Sequence, residues 1–236
     1  MEKTDNLITT YKERSLHAAL KKYFCPDESM HEVKIGRHVA DACNGKTIFE
    51  IQTGNLKPLA KKLDFYLKNT EYEIVIVRPI AKNRRIFWLD EKTGDVLGTP
   101  RRSPRHETIC NGISDLYYLK DHLGNSRIKF CFPIMEINEV LLCDGYGKNK
   151  KIRATSVDRV SGEIYSIEYV NSAEDIRHEI YPLLPDGDFG RAELSGCLKL
   201  QALKLWSAQK LLTELGLLSC KKDGNKLVFR KIEKSI

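Results

Sequence analysis

The sequence predicts an α/β (α+β) fold: a mixed central sheet flanked by helices, followed by a small C-terminal winged helix-turn-helix. Three observations predict it. An amphipathic helix precedes two strand-like runs separated by Asn44-Gly45, and a strand–helix–strand unit then runs to Val77. After a Gly-rich, basic stretch at Cys143 to Lys151 the pattern changes to a hairpin-like run and three helical segments that close on a β-hairpin.

Leu16, Ala19, Leu20, Tyr23 and Phe24 recur at three- and four-residue spacing, which predicts a first helix from about Leu7 to Phe24. Val33 to Asp41 and Thr47 to Thr53 read as strands, and Cys43-Asn44-Gly45-Lys46 between them carries the strongest short hairpin signal. Leu56, Leu59, Ala60, Leu63 and Leu67 form a second helical stripe, with Asn55 as N-cap and Pro58 in the first turn. Glu73 to Val77 is a short apolar run expected of a strand buried on both faces, so the unit reads as a parallel βαβ pairing. Ile86 to Leu89 is a further strand turning at Lys92-Thr93-Gly94. A basic loop at Arg101 to Arg105, a helix from Glu107 to Leu123 and an extended run from Arg127 to Ile137 follow.

The Gly-rich, then basic, stretch Cys143 to Lys151 reads as a linker, dividing the chain into domains 1–145 and 146–236. A hairpin-like stretch (Arg153 to Val170) leads into helices Ala173–Leu184, Phe189–Cys197 (Asp188 as its N-cap) and Lys199–Leu215. Leu217 to Lys231 reads strand, Lys-Asp-Gly-Asn turn, strand. The third helix of this set would face a DNA groove through Lys199, Gln201 and Lys204, and the turn would present Lys221 and Lys222.

Composition excludes more than it assigns. The 236 residues are 42% hydrophobic, which suits a globular chain of one large or two small domains. No apolar run of about 18 residues is present, so no membrane span is expected. The N-terminus lacks a signal-peptide apolar core and carries Glu2, Asp5 and Glu13, so a cytoplasmic location is expected. The odd number of scattered cysteines, seven, fits neither a disulfide framework nor structural zinc. A net charge of +7 permits a nucleic-acid partner without demanding one.

The hairpin carries the chemistry. With Asn44-Gly45 as a two-residue loop, Cys43 faces Lys46, Asp41 faces Ile48, Val39 faces Glu50 and Arg37 faces Gln52. Alternation then points Asp41, Glu50 and Gln52 to one side, with Asp41 and Glu50 on a diagonal roughly 7–8 Å apart. Two carboxylates converging near strand ends favour a hard divalent cation such as Mg²⁺ or Mn²⁺. Glu13 falls on the apolar stripe of the first helix, where a carboxylate is expensive to bury unless paired or metal-facing; the alternative is a solvated helix start.

Glu13 on a first helix, Asp41, then Glu50-Ile51-Gln52 followed by a Lys-bearing helix resembles the PD-(D/E)XK nuclease superfamily, over about residues 7 to 80. The resemblance implies a restriction-endonuclease-like αβββαβ core, with Asp41 and Glu50 as metal ligands and the Ile51 carbonyl as a third. Glu13 would be an outer or second-metal acid. The family's last position is usually Lys; here it is Gln52, which orients by hydrogen bonds but supplies no charge. Lys57 or Lys61 on the following helix would be the source of a replacement charge.

The expectation is therefore a Mg²⁺-dependent endodeoxyribonuclease with catalytic Glu13, Asp41, Glu50 and Gln52. Its DNA contacts would be Arg37, Lys57, Lys61, Arg101, Arg102, Lys199, Gln201, Lys204, Lys221 and Lys222. DNA is the expected partner, with a homodimer if both duplex strands are cut. The alternative is a catalytically inactive DNA-binding regulator that keeps the nuclease fold.

Overall fold

A computed structural model describes residues 15–145 and 154–233 of the chain. The fold is α+β, with a mixed eight-stranded sheet and a separate three-stranded sheet among the described residues.

Helix α1 (Leu16–Phe24) is capped by Ser15, whose Oγ accepts the Ala18 N–H at 3.2 Å. Ser15 also bridges to Val160, and residues 7–14 of the expected helix lie outside the described residues. Strands β1 (His31–Ile35), β2 (His38–Cys43) and β3 (Thr47–Ile51) form an antiparallel meander. The run expected to be one strand, Val33 to Asp41, is broken by a turn at Gly36-Arg37. Gly36 has φ +58°, and a Cβ there would lie 2.5 Å from the Phe65 ring, so both backbone and space require glycine. Arg37 therefore sits in a turn, with its guanidinium 5.2 Å from the Phe65 ring centroid, and does not face Gln52.

The β2–β3 register differs by two residues from the expected one: Cys43 pairs with Ile48 and Ala42 with Phe49. Asn44 is the cause. Its Oδ1 accepts the N–H groups of both Lys46 (3.1 Å) and Thr47 (2.8 Å), which widens the loop to Asn44–Thr47.

A 3₁₀ turn (Lys57–Leu59) leads into α2 (Ala60–Asn69), which carries the chain to β4 (Glu73–Val77), parallel to β3. Strand β5 (Ile80–Asp90) continues β4 along the same edge of β7 (Ile128–Cys143), the two being separated only by a kink at Arg78-Pro79. Pro79 has no N–H to give the ladder, so the interruption falls there. Arg101 and Arg102 are not a loop; they form a short strand, β6 (Arg101–Arg102), on the far edge of β5. The helix expected over 107–123 is α3 (Ile109–Asp115) followed by a 3₁₀ segment (Leu116–His122).

Strand β8 (Thr155–Tyr169) corrects the domain division. The stretch read as a hairpin is one long strand antiparallel to β7, so the chain returns to the first sheet after residue 145. The boundary between sheet and helical segment lies near residue 170, and Lys148 to Lys151 of the expected linker lie outside the described residues. Beyond it come α4 (Ala173–Ile180), β9 (Phe189–Gly190), α5 (Arg191–Leu198), α6 (Ala202–Glu214), β10 (Leu218–Asp223) and β11 (Lys226–Lys231). The small sheet orders β10-β11-β9. Asp188 does not cap α5; it pairs with Arg230, and Glu193 accepts the Gly190 N–H at 2.7 Å instead.

Two cores flank the large sheet. The α1 side buries Leu16, Leu20, Phe49, Ile51, Val75, Val77 and Met135. The other side buries Ile48, Leu63, Tyr66, Ile76 and Phe130. It runs without a break into Ile176, Leu194, Leu205, Leu211 and Phe229, so the C-terminal helices share the core of the sheet.

Candidate functional site

The β2–β3 ladder pairs only at Ala42↔Phe49 and Cys43↔Ile48, then opens. Asp41 stands at the opening; in this register its opposite number would be Glu50. Glu32, which faces Asp41 from β1, has φ +51°, so the backbone is irregular on that side too. In the gap the Asp41 carboxylate accepts the Ile51 N–H at 2.6 Å, a donor that a longer ladder would give to β2. His17 Nε2 from α1 lies 3.3 Å from the same oxygen.

Glu50 points the other way, toward α2. Its side chain is wholly buried: Lys62 Nζ lies 2.7 Å from Oε2, and the Tyr66 hydroxyl donates to Oε1 at 3.0 Å. Lys62 and Tyr66 are four residues apart and so share one face of the helix. Burial, reinforced by the neighbouring Asp41 charge, pushes the Glu50 carboxyl up to about 7 against the opposing pull of Lys62 and Tyr66. Tyr66 is raised as well, by burial and by the carboxylates beside it. Burial acts in the same upward direction on Asp41, but the hydrogen bonds from His17 and the Ile51 N–H, with the nearby Lys62, outweigh it. Its carboxyl sits below the ordinary range.

The expected one-sided convergence is thus corrected. The two carboxylates meet at the opening of the hairpin from different sides, one partnered by α1 and one by α2. Ile51, expected to face a metal through its carbonyl, gives its N–H to Asp41. Gln52 is half-buried just past β3; its N–H donates to the Val77 carbonyl at 2.8 Å, and its side chain makes no hydrogen bond among the described residues. Glu13 lies outside the described residues. Lys57 and Lys61 are exposed. The cation that reaches Glu50 is Lys62, one position and about 100° around the helix from Lys61. His17, Lys62 and Tyr66 are the residues sequence reading missed. The signal for two of them was available: Leu59, Lys62, Leu63 and Tyr66 recur at three- and four-residue spacing, on the stripe that faces the sheet. Among the described residues, no group of three His, Cys, Asp or Glu side chains is placed to hold a metal ion.

The surfaces expected to meet DNA divide in two. Arg101, Arg102, Lys199, Gln201, Lys221 and Lys222 are exposed. Lys204 is not available: it pairs with Asp115, which also accepts from Arg78 Nε at 3.1 Å, and it reaches the Asn111 carbonyl at 3.4 Å. Ser207 and Gln209 are buried, and Trp206 is partly exposed and packs edge-on against Tyr117 at 5.1 Å. Helix α6 is therefore docked on α3 and the following 3₁₀ segment by the face that would enter a groove.

An antiparallel meander followed by a helix and a parallel fourth strand, with acids at the splayed hairpin, defines the class of fold and site. The chain belongs to the family described as Domain of unknown function (DUF8091), whose model matches residues 14–171. That span ends where β8 ends, so it takes in the large sheet and leaves out the helical segment. The chain is also 26% identical over 180 residues to an uncharacterized protein of Treponema pallidum (strain Nichols), covering 76% of this chain and 70% of that protein. No solved structure matches. No helix among the described residues is long and apolar enough to cross a membrane.

Proposed function

We propose that the chain is a Mg²⁺-dependent endodeoxyribonuclease that hydrolyses DNA phosphodiester bonds at the Asp41–Glu50 cluster. One observation carries the reading. Asp41, Glu50 and Lys62 are brought together where the β2–β3 hairpin opens, on a sheet built as meander, helix and parallel strand.

The residues suit a hard cation. Mg²⁺ is commonly held by one or two carboxylates, with water and substrate phosphate completing its shell. Glu50 is buried against a single cation and a phenol, a penalty that a divalent ion beside Asp41 would relieve. When bound, the ion would polarise the scissile phosphate and ease deprotonation of the attacking water. The chain's own groups do the rest. Asp41 is held in place by the Ile51 N–H and His17, Lys62 supplies the fixed positive charge that Gln52 lacks, and Gln52 offers an amide to orient a phosphate oxygen. Exposed Lys221 and Lys222 of β10 would contact the DNA backbone.

A second reading, a binding protein that does not cleave, is favoured by the full engagement of both Glu50 oxygens. Plasmid nicking with Mg²⁺ or Mn²⁺ separates the two. Cleavage should fall at least about a thousandfold in Asp41→Ala and Glu50→Gln. Wild-type DNA binding without cleavage in either metal selects the second reading.

A further inference from the structure

A cavity of about 400 Å³ lies at the seam between the large sheet and α6. None of Asp41, Glu50, Lys62 or Tyr66 lines it. Its walls are the loop after β3, the Arg78-Pro79 kink, the end of α3 and the first turns of α6. The volume is within the range of small-ligand sites.

Its charge is one-sided. Arg78, Arg84, Arg159 and Lys204 face the cavity against Glu107 and Asp115, an excess of two positive charges. Two of these cations are committed, Arg78 and Lys204 to Asp115. Arg159 reaches the Thr53 carbonyl at 3.3 Å. Arg84 is held only by long ion pairs, to Glu107 at 3.7 Å and Glu139 at 3.8 Å; its guanidinium makes no hydrogen bond among the described residues, and its Nε is buried without a partner. A buried guanidinium donor left without an acceptor is unfavourable, and the guanidinium fork matches the geometry of a phosphate.

We propose that this cavity binds a phosphate-bearing small molecule, with Arg84 as its principal contact and Lys204 linking occupancy to helix α6. With Glu139, which pairs with Arg84 from behind the lining, the local balance is still positive by one, which favours an anion. A ligand held here touches the sheet and α6 together, so its binding would tighten the seam. The inference does not depend on the nuclease reading, because none of the proposed catalytic side chains lines the cavity.

The test uses the full chain with pyrophosphate as probe, in chloride buffers of matched ionic strength. Calorimetric titration should show saturable binding, with a rise in melting temperature and slower amide exchange across residues 202–214. Arg84→Gln should weaken binding at least about tenfold and Arg84→Lys, which keeps the charge but loses the fork, by less. Retained circular dichroism in both variants excludes misfolding as the cause, and Lys204→Met should lose the exchange protection in α6. Absence of saturable binding, or an affinity unchanged in Arg84→Gln, overturns the proposal. Binding of a short single-stranded oligonucleotide through Arg84, with no response to pyrophosphate, overturns it too and gives the cavity to a nucleic-acid backbone.

Discussion

Glu50 and Asp115 are both carboxylates taken out of water, with side chains 0% and 8% exposed, but they are compensated differently. Asp115 has a cation on each oxygen, Arg78 on Oδ2 and Lys204 on Oδ1, drawn from the strand kink and from α6. Glu50 has one ammonium and one phenol, and the like charge of Asp41 nearby. The interior repays the loss of hydration only where pairing is nearly complete. The seam meets that condition and behaves as structure. The hairpin cluster falls short of it and keeps a carboxyl pushed up to about 7 by burial.

The largest effect expected from this contrast is at Asp115. In Asp115→Ala the buried Arg78 loses its closest carboxylate, keeping only the longer contact to Glu107 at 3.8 Å. Chemical denaturation should show a loss of about 3–5 kcal/mol, the usual result of leaving a buried charge unpaired. A loss below about 1 kcal/mol would mean that the seam is solvated and that the two carboxylates do not differ as described.

Glu50 comes next and is read through pH. Its carboxyl, near 7 in the folded chain against 4.5 for the ordinary group, binds its proton more tightly folded than unfolded. Stability in metal-free buffer should therefore fall as pH rises from about 4.5 to 7 and level off above, by roughly 3 kcal/mol in all. Glu50→Gln should flatten this slope. Mg²⁺ at pH 8 should restore stability to the wild type and not to the variant. A wild-type profile already flat between pH 5 and 8 would show Lys62 and Tyr66 to be full compensation.

The difference between the two clusters was only half legible beforehand. Asp41 and Glu50 stand out in the sequence because a carboxylate inside a strand breaks the alternation of apolar residues, and the hairpin at Asn44-Gly45, α2 and β4 follow from local signals. The register departs from the dipeptide pattern because Asn44 bonds two backbone donors and enlarges the loop. The two-residue slip sets Asp41 opposite Glu50, and the ladder opens there, so the acids still meet, although from different sides. The role of Lys62 is not legible in the sequence, since a charged residue on an apolar stripe reads as solvated until its partner is known. The seam was hidden more deeply. Arg78, Asp115 and Lys204 are widely separated in sequence, and β8 had to be recognised as returning to the first sheet before α6 could be placed against α3.

Lys204 gives the smallest expected effect and the sharpest discrimination. Its side chain is 35% exposed, so water already screens its bond to Asp115, and Arg78 remains when it is removed. Lys204→Met should cost about 1 kcal/mol or less, a fall of roughly 2–4 °C in melting temperature. Methionine keeps an unbranched stem of similar length, so little packing is lost. If Lys204→Met proves as damaging as Asp115→Ala, then α6 holds Asp115 in place rather than the reverse. The docking of α6 would then be a condition for folding of the sheet's kink, and an α6 released to meet DNA would be ruled out on energetic grounds alone.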